Sequence, residues 1–349
     1  MDETTSLPLR VLFITNAWPH PGDPSHGTHA AREVAALEAE GVRMTVLPIH
    51  GHASRWAYGQ AAARVASLNG RGGFDVVHGY LGHAGAIARL YGRAPLVVTY
   101  TGSDLLGDRR GDGPPTRKSA VEAATFQQLA RFSAATITQS EQMEGMLPAG
   151  ARARNHVVPT GIPLDRFRPM PRDEARRRLG WPPDEQVVLW AANPARGVKN
   201  HPLAVATHRA LRATHPDVRL RVAWSDVEDE LPLDQLPLWM CASDVLLLTS
   251  RSEGSPNVVK EALATELPVV STPVGDVAKL VRDVPGSHVR PPEPAALAAA
   301  LADALAKGRS PKAREAVAGL DPADVARRVI GVYETVLAGR GRSGRLARS

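Results

Sequence analysis

The stretch that most constrains this chain runs from Asp244 to Pro273, DVLLLTSRSEGSPNVVKEALATELPVVSTP. Asp244 to Ser250 is a short apolar run between polar residues, the pattern of a strand buried on both faces of a parallel sheet. A loop, Arg251 to Ser255, follows, and Pro256 falls where the first helical residue is expected, since the amide that proline lacks is unpaired there anyway. The pattern predicts a helix through Thr265 and a second strand over Leu267 to Thr272. The unit is therefore strand, loop, helix, strand, the repeating element of an α/β layer fold.

Two carboxylates are set into that unit. Glu253 lies in the loop and Glu261 in the second turn of the helix, about 7 to 8 Å along the axis from Pro256 at roughly 1.5 Å per residue. Between them lie the free amides of a helix N-terminus, which suit an anion. One ligand can give hydroxyls to Glu253, a phosphate to the amides after Gly254 and a second diol to Glu261. A nucleoside-diphosphate sugar has its parts in that order. Two solvated glutamates flanking an ordinary α/β turn is the bland alternative.

The segment E-G-S-P-N-V-V-K-E-A-L-A resembles the E-x7-E signature of the family 4 retaining glycosyltransferases, and the resemblance extends over about residues 8 to 338. It implies the GT-B fold: two facing Rossmann-like domains with a cleft between them and a C-terminal helix that crosses back. The expected boundaries are 1–164 for an acceptor-side domain, 165–338 for a nucleotide-sugar domain, and 339–349 for a basic, disordered tail. It further implies sugar transfer from a nucleotide-diphosphate donor, UDP-sugar by family frequency, to a hydroxyl of a glycan, lipid-linked or small-molecule acceptor. The implied mechanism is front-face, without a covalent enzyme intermediate, and metal-independent.

Length and composition agree with two α/β domains. A chain of 349 residues exceeds one typical domain, and with only 5% aromatic residues its cores must be built from Val, Leu and Ala. The single cysteine, Cys241, excludes an internal disulfide and fits a reducing cytoplasm. No apolar run approaches the ~18 residues of a membrane span, and no signal-peptide core is present. The net charge of +6 is largely a tail effect. Residues 1–165 carry 15 basic against 14 acidic side chains, while Arg340, Arg342, Arg345 and Arg348 crowd the end. The balance does not point to a nucleic-acid groove; weak contact of the tail with anionic lipid is the only membrane expectation.

In the first half, Arg10 to Thr15 reads as a strand, residues 16–27 as a long functional-type loop, Thr28 to Glu40 as a helix and Arg43 to Ile49 as the second strand. The dinucleotide fingerprint G-x-G-x-x-G is missing, which disfavours an NAD-dependent oxidoreductase. The resemblance gives Gly27 the role of letting backbone approach the donor diphosphate, although His26 stands where the family often has another glycine; a plain turn glycine is the alternative. Phe74 to His78 and Leu96 to Tyr100 are further strands. The latter runs into Thr101-Gly102-Ser103-Asp104, which looks like the family's T-x-H-G-x-D segment with Thr101 in place of histidine, and the resemblance puts Thr101, Gly102 and Asp104 on the acceptor side. Asp104 acting as a local cap is an equal reading. No histidine spacing suggests a metal site; His78 and His83 read as core or site-lining, and Asp226, Asp229 and Glu230 as a solvated loop.

In the second half, Asp173 is a candidate cap for a helix ending at Leu179. Gln186 to Ala192 reads as a strand delivering N-P-A-R-G-V-K-N-H. The resemblance places an arginine and a lysine here on the donor diphosphate. Lys199 fits the lysine; either Asn193 or Arg196 fills the arginine's place, and charge favours Arg196. The catalytic set is thus Arg196, Lys199 and Glu253, and the donor-binding set Gly27, Gly254, Ser255, Pro256, Asn257, Val258 and Glu261. No cofactor or metal is expected. A GT-B nucleotide-sugar epimerase and a non-catalytic sugar-nucleotide binder are the competing readings.

Overall fold

A computed structural model describes residues 8–23, 26–51, 54, 56–69, 73–108, 113–224 and 235–346. The Asp226, Asp229 and Glu230 loop lies outside the described residues. The chain forms two compact units: Met1–Asp108 with Arg117–Gly161 and Pro322–Ser349, and a second built on Ile162–Asp321. The division thus falls at Gly161, just ahead of the expected boundary at Leu164.

The strands of the first unit are β1 (Arg10–Thr15), β2 (Arg43–Pro48), β3 (Val76–Tyr80), β4 (Leu96–Tyr100), β5 (Ala135–Thr138) and β6 (Asn155–Val157). They form one parallel sheet in the order β2-β1-β3-β4-β5-β6. Central strands are buried on both faces, so their sequences are nearly continuous apolar runs; the edge strand β2 alternates exposed and covered residues instead. Period-2 alternation sends Leu12, Ile14, Val77 and Val98 to one face, against Val65, Ile87 and Phe126. Val11, Val76, Val97 and Ile137 go to the other, against Leu37 and the C-terminal helix.

That helix corrects the expected domain limits. It spans Pro322–Leu346, and its Val325, Ala326, Val329, Val332 and Tyr333 pack into the first unit's core. Each fully buried side chain of Val or Tyr size contributes roughly 1.5–3 kcal/mol, so the helix belongs to the first unit rather than to the second. It also continues through residues 339–346, where a disordered tail was expected. Glycine costs a propagating helix only about 1 kcal/mol, unlike proline, and Arg340 Nη1 donates to the Arg93 carbonyl at 2.9 Å.

The second unit holds β7 (Val187–Trp190), β8 (Arg219–Val222), β9 (Val245–Leu248), β10 (Val269–Ser271) and β11 (His288–Val289). They are parallel, in the order β11-β10-β9-β7-β8. Counted from its own first strand, the six-stranded sheet reads 2-1-3-4-5-6 and the five-stranded sheet 2-1-3-4-5. In both, the first strand lies between the second and the third, and the connections leaving the carboxyl ends of the first and third strands part in opposite directions. Ligands of open α/β sheets bind at that divergence. Asp173 is not the expected cap: the helix Arg172–Leu179 begins after Pro171 with no side-chain cap.

Candidate active site

In the second unit the divergence lies between β7 and β9, which pair through Val188–Val245 and Leu189–Leu246. The loop after β7 carries Asn193, Arg196 and Lys199; the loop after β9 carries Glu253 and Gly254. Several bonds hold the two loops side by side. Trp190 Nε1 donates to Thr249 Oγ1 at 2.9 Å, and that hydroxyl donates to the Lys199 carbonyl at 2.9 Å. The Arg251 amide donates to the Val198 carbonyl at 2.9 Å, and Arg251 Nη1 to the Gly197 carbonyl at 3.0 Å. Asn200 takes the left-handed conformation, φ 56°, that turns this loop into the helix His201–Leu211, and asparagine tolerates it better than most residues.

These ties bring Lys199 Nζ to 2.6 Å from Glu253 Oε1, with the two side chains only 19% and 16% exposed. Two side chains more than fifty residues apart thus form a mostly desolvated ion pair at the strand ends. Arg196 is not gathered into it: its side chain is exposed and makes no hydrogen bond or ion pair among the described residues. Asn193 is occupied locally, its Oδ1 accepting from the Ala195 amide at 2.8 Å.

Gly254, Ser255 and Pro256 form the buried floor beside Glu253. Pro256 is the residue before the helix rather than its first, and the helix itself runs Asn257–Ala264. The turn after β10 presses on this floor. Gly275 has φ +55°, and a Cβ there would stand 2.8 Å from the Gly254 carbonyl oxygen, so only glycine fits. Asp276 Oδ2 accepts from Ser255 Oγ at 2.8 Å, while Asp276 Oδ1 is buried without a partner. Burial pushes the Asp276 carboxyl above its ordinary range, opposed by the nearby Lys260 ammonium.

Glu261 sits in the second turn, 8% exposed. Lys260, which the sequence pattern does not single out, is fully buried; desolvation brings its pKa down to about 8, against the pull of Asp276 and Glu261. The far end of this helix is gripped by two arginines that the local pattern did not single out. Arg309 Nη1 donates to the Thr265 carbonyl at 2.7 Å and Arg314 Nη1 to the Ala264 carbonyl at 2.6 Å. Cations there complement the negative end of the helix dipole. Arg314 also reaches the Phe167 carbonyl at 2.7 Å, so the helix bearing Glu261 is fixed to the body of its unit.

In the first unit Gly27 has φ +68° and precedes the helix Thr28–Ala39. A Cβ there would fall 2.1 Å from the Ala17 carbonyl carbon and 2.3 Å from the Trp18 nitrogen. Glycine is thus required where the loop after β1 folds back on itself. Asp104 does not cap the following helix: it lies within the short helix Ser103–Leu106, which has no side-chain cap, and its carboxylate reaches back to accept from the Thr101 amide at 3.2 Å and the Gly102 amide at 2.9 Å. Burial raises its pKa to about 6, with those amides opposing. Thr101 and Gly102 are partly exposed beside it. His78 is a core residue, its Nδ1 2.6 Å from the Tyr333 hydroxyl and its Nε2 2.7 Å from Thr99 Oγ1. Burial lowers its pKa to about 3. His83 is half-exposed, its ring edge-on to Phe126. Cys241 is buried, which raises its thiol pKa, as a packing residue requires. Among the described residues no three His, Cys, Asp or Glu side chains gather as a metal would need, and no helix is long and apolar enough to cross a membrane.

The family described as Glycosyltransferase Family 4 matches residues 9–166, and that described as Glycosyl transferases group 1 matches residues 185–307. The chain is 30% identical over 318 residues to a D-inositol 3-phosphate glycosyltransferase of Catenulispora acidiphila, covering 79% of this chain and 76% of the relative. The chain belongs to the family 4 glycosyltransferases. It is also 23% identical to a putative teichuronic acid biosynthesis glycosyltransferase of Bacillus subtilis, over 84% of this chain and 88% of that one. Among solved structures, sucrose-phosphate synthase from Thermosynechococcus elongatus superposes with TM-score 0.73 at 18% identity, covering 95% of this chain and all (100%) of that one. Anabaena HepE in complex with UDP-glucose gives 0.69 at 17% identity, covering 94% and 100%. The two parallel-sheet units are those of a GT-B glycosyltransferase.

Proposed function

We propose that this family 4 glycosyltransferase takes its sugar from UDP-sugar, retains the anomeric configuration and delivers the sugar to an acceptor hydroxyl without a covalent enzyme intermediate. The observation that carries the reading is the Lys199–Glu253 pair at the divergence of the second sheet, followed by the fixed helix bearing Glu261. The HepE structures with UDP and UDP-glucose, on the same fold, support the choice of donor.

Without donor, Lys199 and Glu253 neutralise each other. With donor bound, Lys199 moves to the diphosphate, Glu253 accepts from sugar hydroxyls, the Gly254 to Val258 backbone receives sugar and phosphate, and Glu261 holds the ribose diol. As the bond from the anomeric carbon to the diphosphate oxygen breaks, negative charge grows on the leaving group. Lys199, with Arg196 swinging in from solvent, stabilises that charge, and charge aimed at a leaving group is often the largest catalytic term. The acceptor oxygen bonds to the anomeric carbon on the face being vacated, and its proton passes to the departing phosphate oxygen. Thr101 and Gly102 serve the acceptor side. The two cations do the work of a metal, so turnover should survive chelation with EDTA. The relatives' names point to different acceptors, so the acceptor class stays a hydroxyl of a glycan, a lipid-linked or a small molecule.

The test is NMR of the product formed from UDP-sugars and an acceptor panel. Retained configuration supports the reading. Inverted configuration, or an epimerised donor in the absence of any acceptor, would overturn it.

A further inference from the structure

The amino ends of β4, β5 and β6, opposite the strand ends that carry Thr101 in this unit, hold a cluster of arginines. A cavity of about 460 Å³ is lined there by Arg89, Arg131 and Arg154, with Tyr91, Phe132 and Ser133 among its other walls, and no carboxylate borders it. Arg154 Nη2 donates to the Arg131 carbonyl at 3.2 Å. Exposed Arg93 stands next to the cavity, and Arg340 of the C-terminal helix reaches its carbonyl at 2.9 Å. Among the described residues, none of these five guanidinium groups is in an ion pair. Two large apolar side chains are exposed in the same segments: Phe132, which lines the cavity, at 66%, and Leu90, between the cavity-lining Arg89 and Tyr91, at 48%. The near-neutral charge of the first half of the sequence hides this clustering, because the balancing carboxylates lie elsewhere in the chain.

We propose that this face of the first unit is a docking surface for an acidic phospholipid bilayer. Unpaired arginines attract an anionic surface, with each basic residue near such a membrane strengthening binding about fivefold. Phe132 and Leu90, next in sequence to Arg131 and Arg89, insert at the headgroup level as interfacial apolar residues do. A soluble anion would use the charges but leave both apolar side chains in water. The arginines are exposed around the rim rather than buried within the cavity, which suits an extended surface and not one enclosed phosphate. The inference does not depend on the identity of the sugar donor.

The test is co-sedimentation of the full chain with vesicles of phosphatidylcholine alone or mixed with phosphatidylglycerol. The proposal expects binding only to the acidic vesicles, reversed by roughly 0.5 M salt, where the screening length falls to a few ångströms. The triple change Arg89→Glu, Arg131→Glu and Arg154→Glu should weaken binding by at least about a hundredfold, and Phe132→Ser severalfold at constant charge. All four sites are exposed, and an unchanged thermal melting curve verifies each fold. No binding to acidic vesicles, or equal binding by the triple variant, overturns the proposal; the second result would move the interaction to the chain's end. Binding that is insensitive to Phe132→Ser and equally strong for single-stranded nucleic acid also overturns it, in favour of a soluble polyanion.

Discussion

The two sheets share the order of their first five strands and a divergence point, yet their carboxyl ends are built differently. In the second unit the loops there spend side chains on one another: Lys199 on Glu253 and Ser255 on Asp276, with Lys260 buried beside Glu261. In the first unit they spend backbone. Gly27 lets a loop cross itself, and Asp104 closes its own turn. The fold supplies the same crevice twice, and only one copy is loaded with groups suited to a diphosphate and two diols. Architecture alone does not assign chemistry; the side chains at the strand ends do.

The comparison is broken most severely at Lys199. Lys199→Ala should lower kcat by about a hundredfold to a thousandfold, the usual cost of one electrostatic contact to a developing charge, and should move the donor KM far less. Steady-state kinetics checks the split. A KM effect with kcat preserved would make Lys199 a ground-state binder. In the first unit, Gly27→Ala should cost about 2–4 kcal/mol, because strain at positive φ adds to a backbone collision. Gly41→Ala, at φ +88° but with nothing within 4 Å, should cost about 1 kcal/mol. Urea unfolding of both variants separates a loop-crossing glycine from a plain one.

A smaller effect comes from an acid in the first unit. Glu33 is partly exposed, but its Oε1 is buried without a partner and burial lifts the carboxyl pKa to about 8 from 4.5. The folded state holds that proton more tightly than the unfolded chain, so its favourable contribution is complete below about pH 4.5 and is lost as the pH rises through about 8. Glu33→Gln should therefore raise the melting temperature at pH 8 more than at pH 5. An equal shift at both pH values would contradict the assignment. The smallest effect is expected at Asp104. Asp104→Asn keeps one amide acceptor for the turn and lies in the other unit from Glu261, so donor affinity measured by titration with UDP should change less than about threefold, or about 0.65 kcal/mol.

Much of this was legible in the sequence because the signals are local. Arg10 to Thr15 and Leu96 to Tyr100 are apolar runs that only a buried parallel strand satisfies, and both strands form with those limits. The helix bearing Glu261 and the strands around it were readable from spacing and Pro256. The unread features depend on partners far along the chain. Lys260 carries no mark of burial, since its surroundings include Asp276 from another loop. Arg309 and Arg314 carry no local mark of their role because the carbonyls they cap lie some forty to fifty residues earlier. The return of the C-terminal helix to the first unit was expected from the family resemblance and not from its own residues, because its place there depends on apolar faces contributed by β1, β3, β4 and β5.

The central claim is that the donor nucleotide binds mainly on the second unit, through Glu261. Titration calorimetry of UDP into the wild type and into Glu261→Ala tests it most directly. The account predicts measurable binding by the wild type and at least about tenfold weaker binding by the variant, the value of a charged hydrogen-bonding group at ~1.4 kcal/mol or more. Equal UDP affinity in the two proteins would contradict it, and would place the ribose away from the Asn257–Ala264 helix.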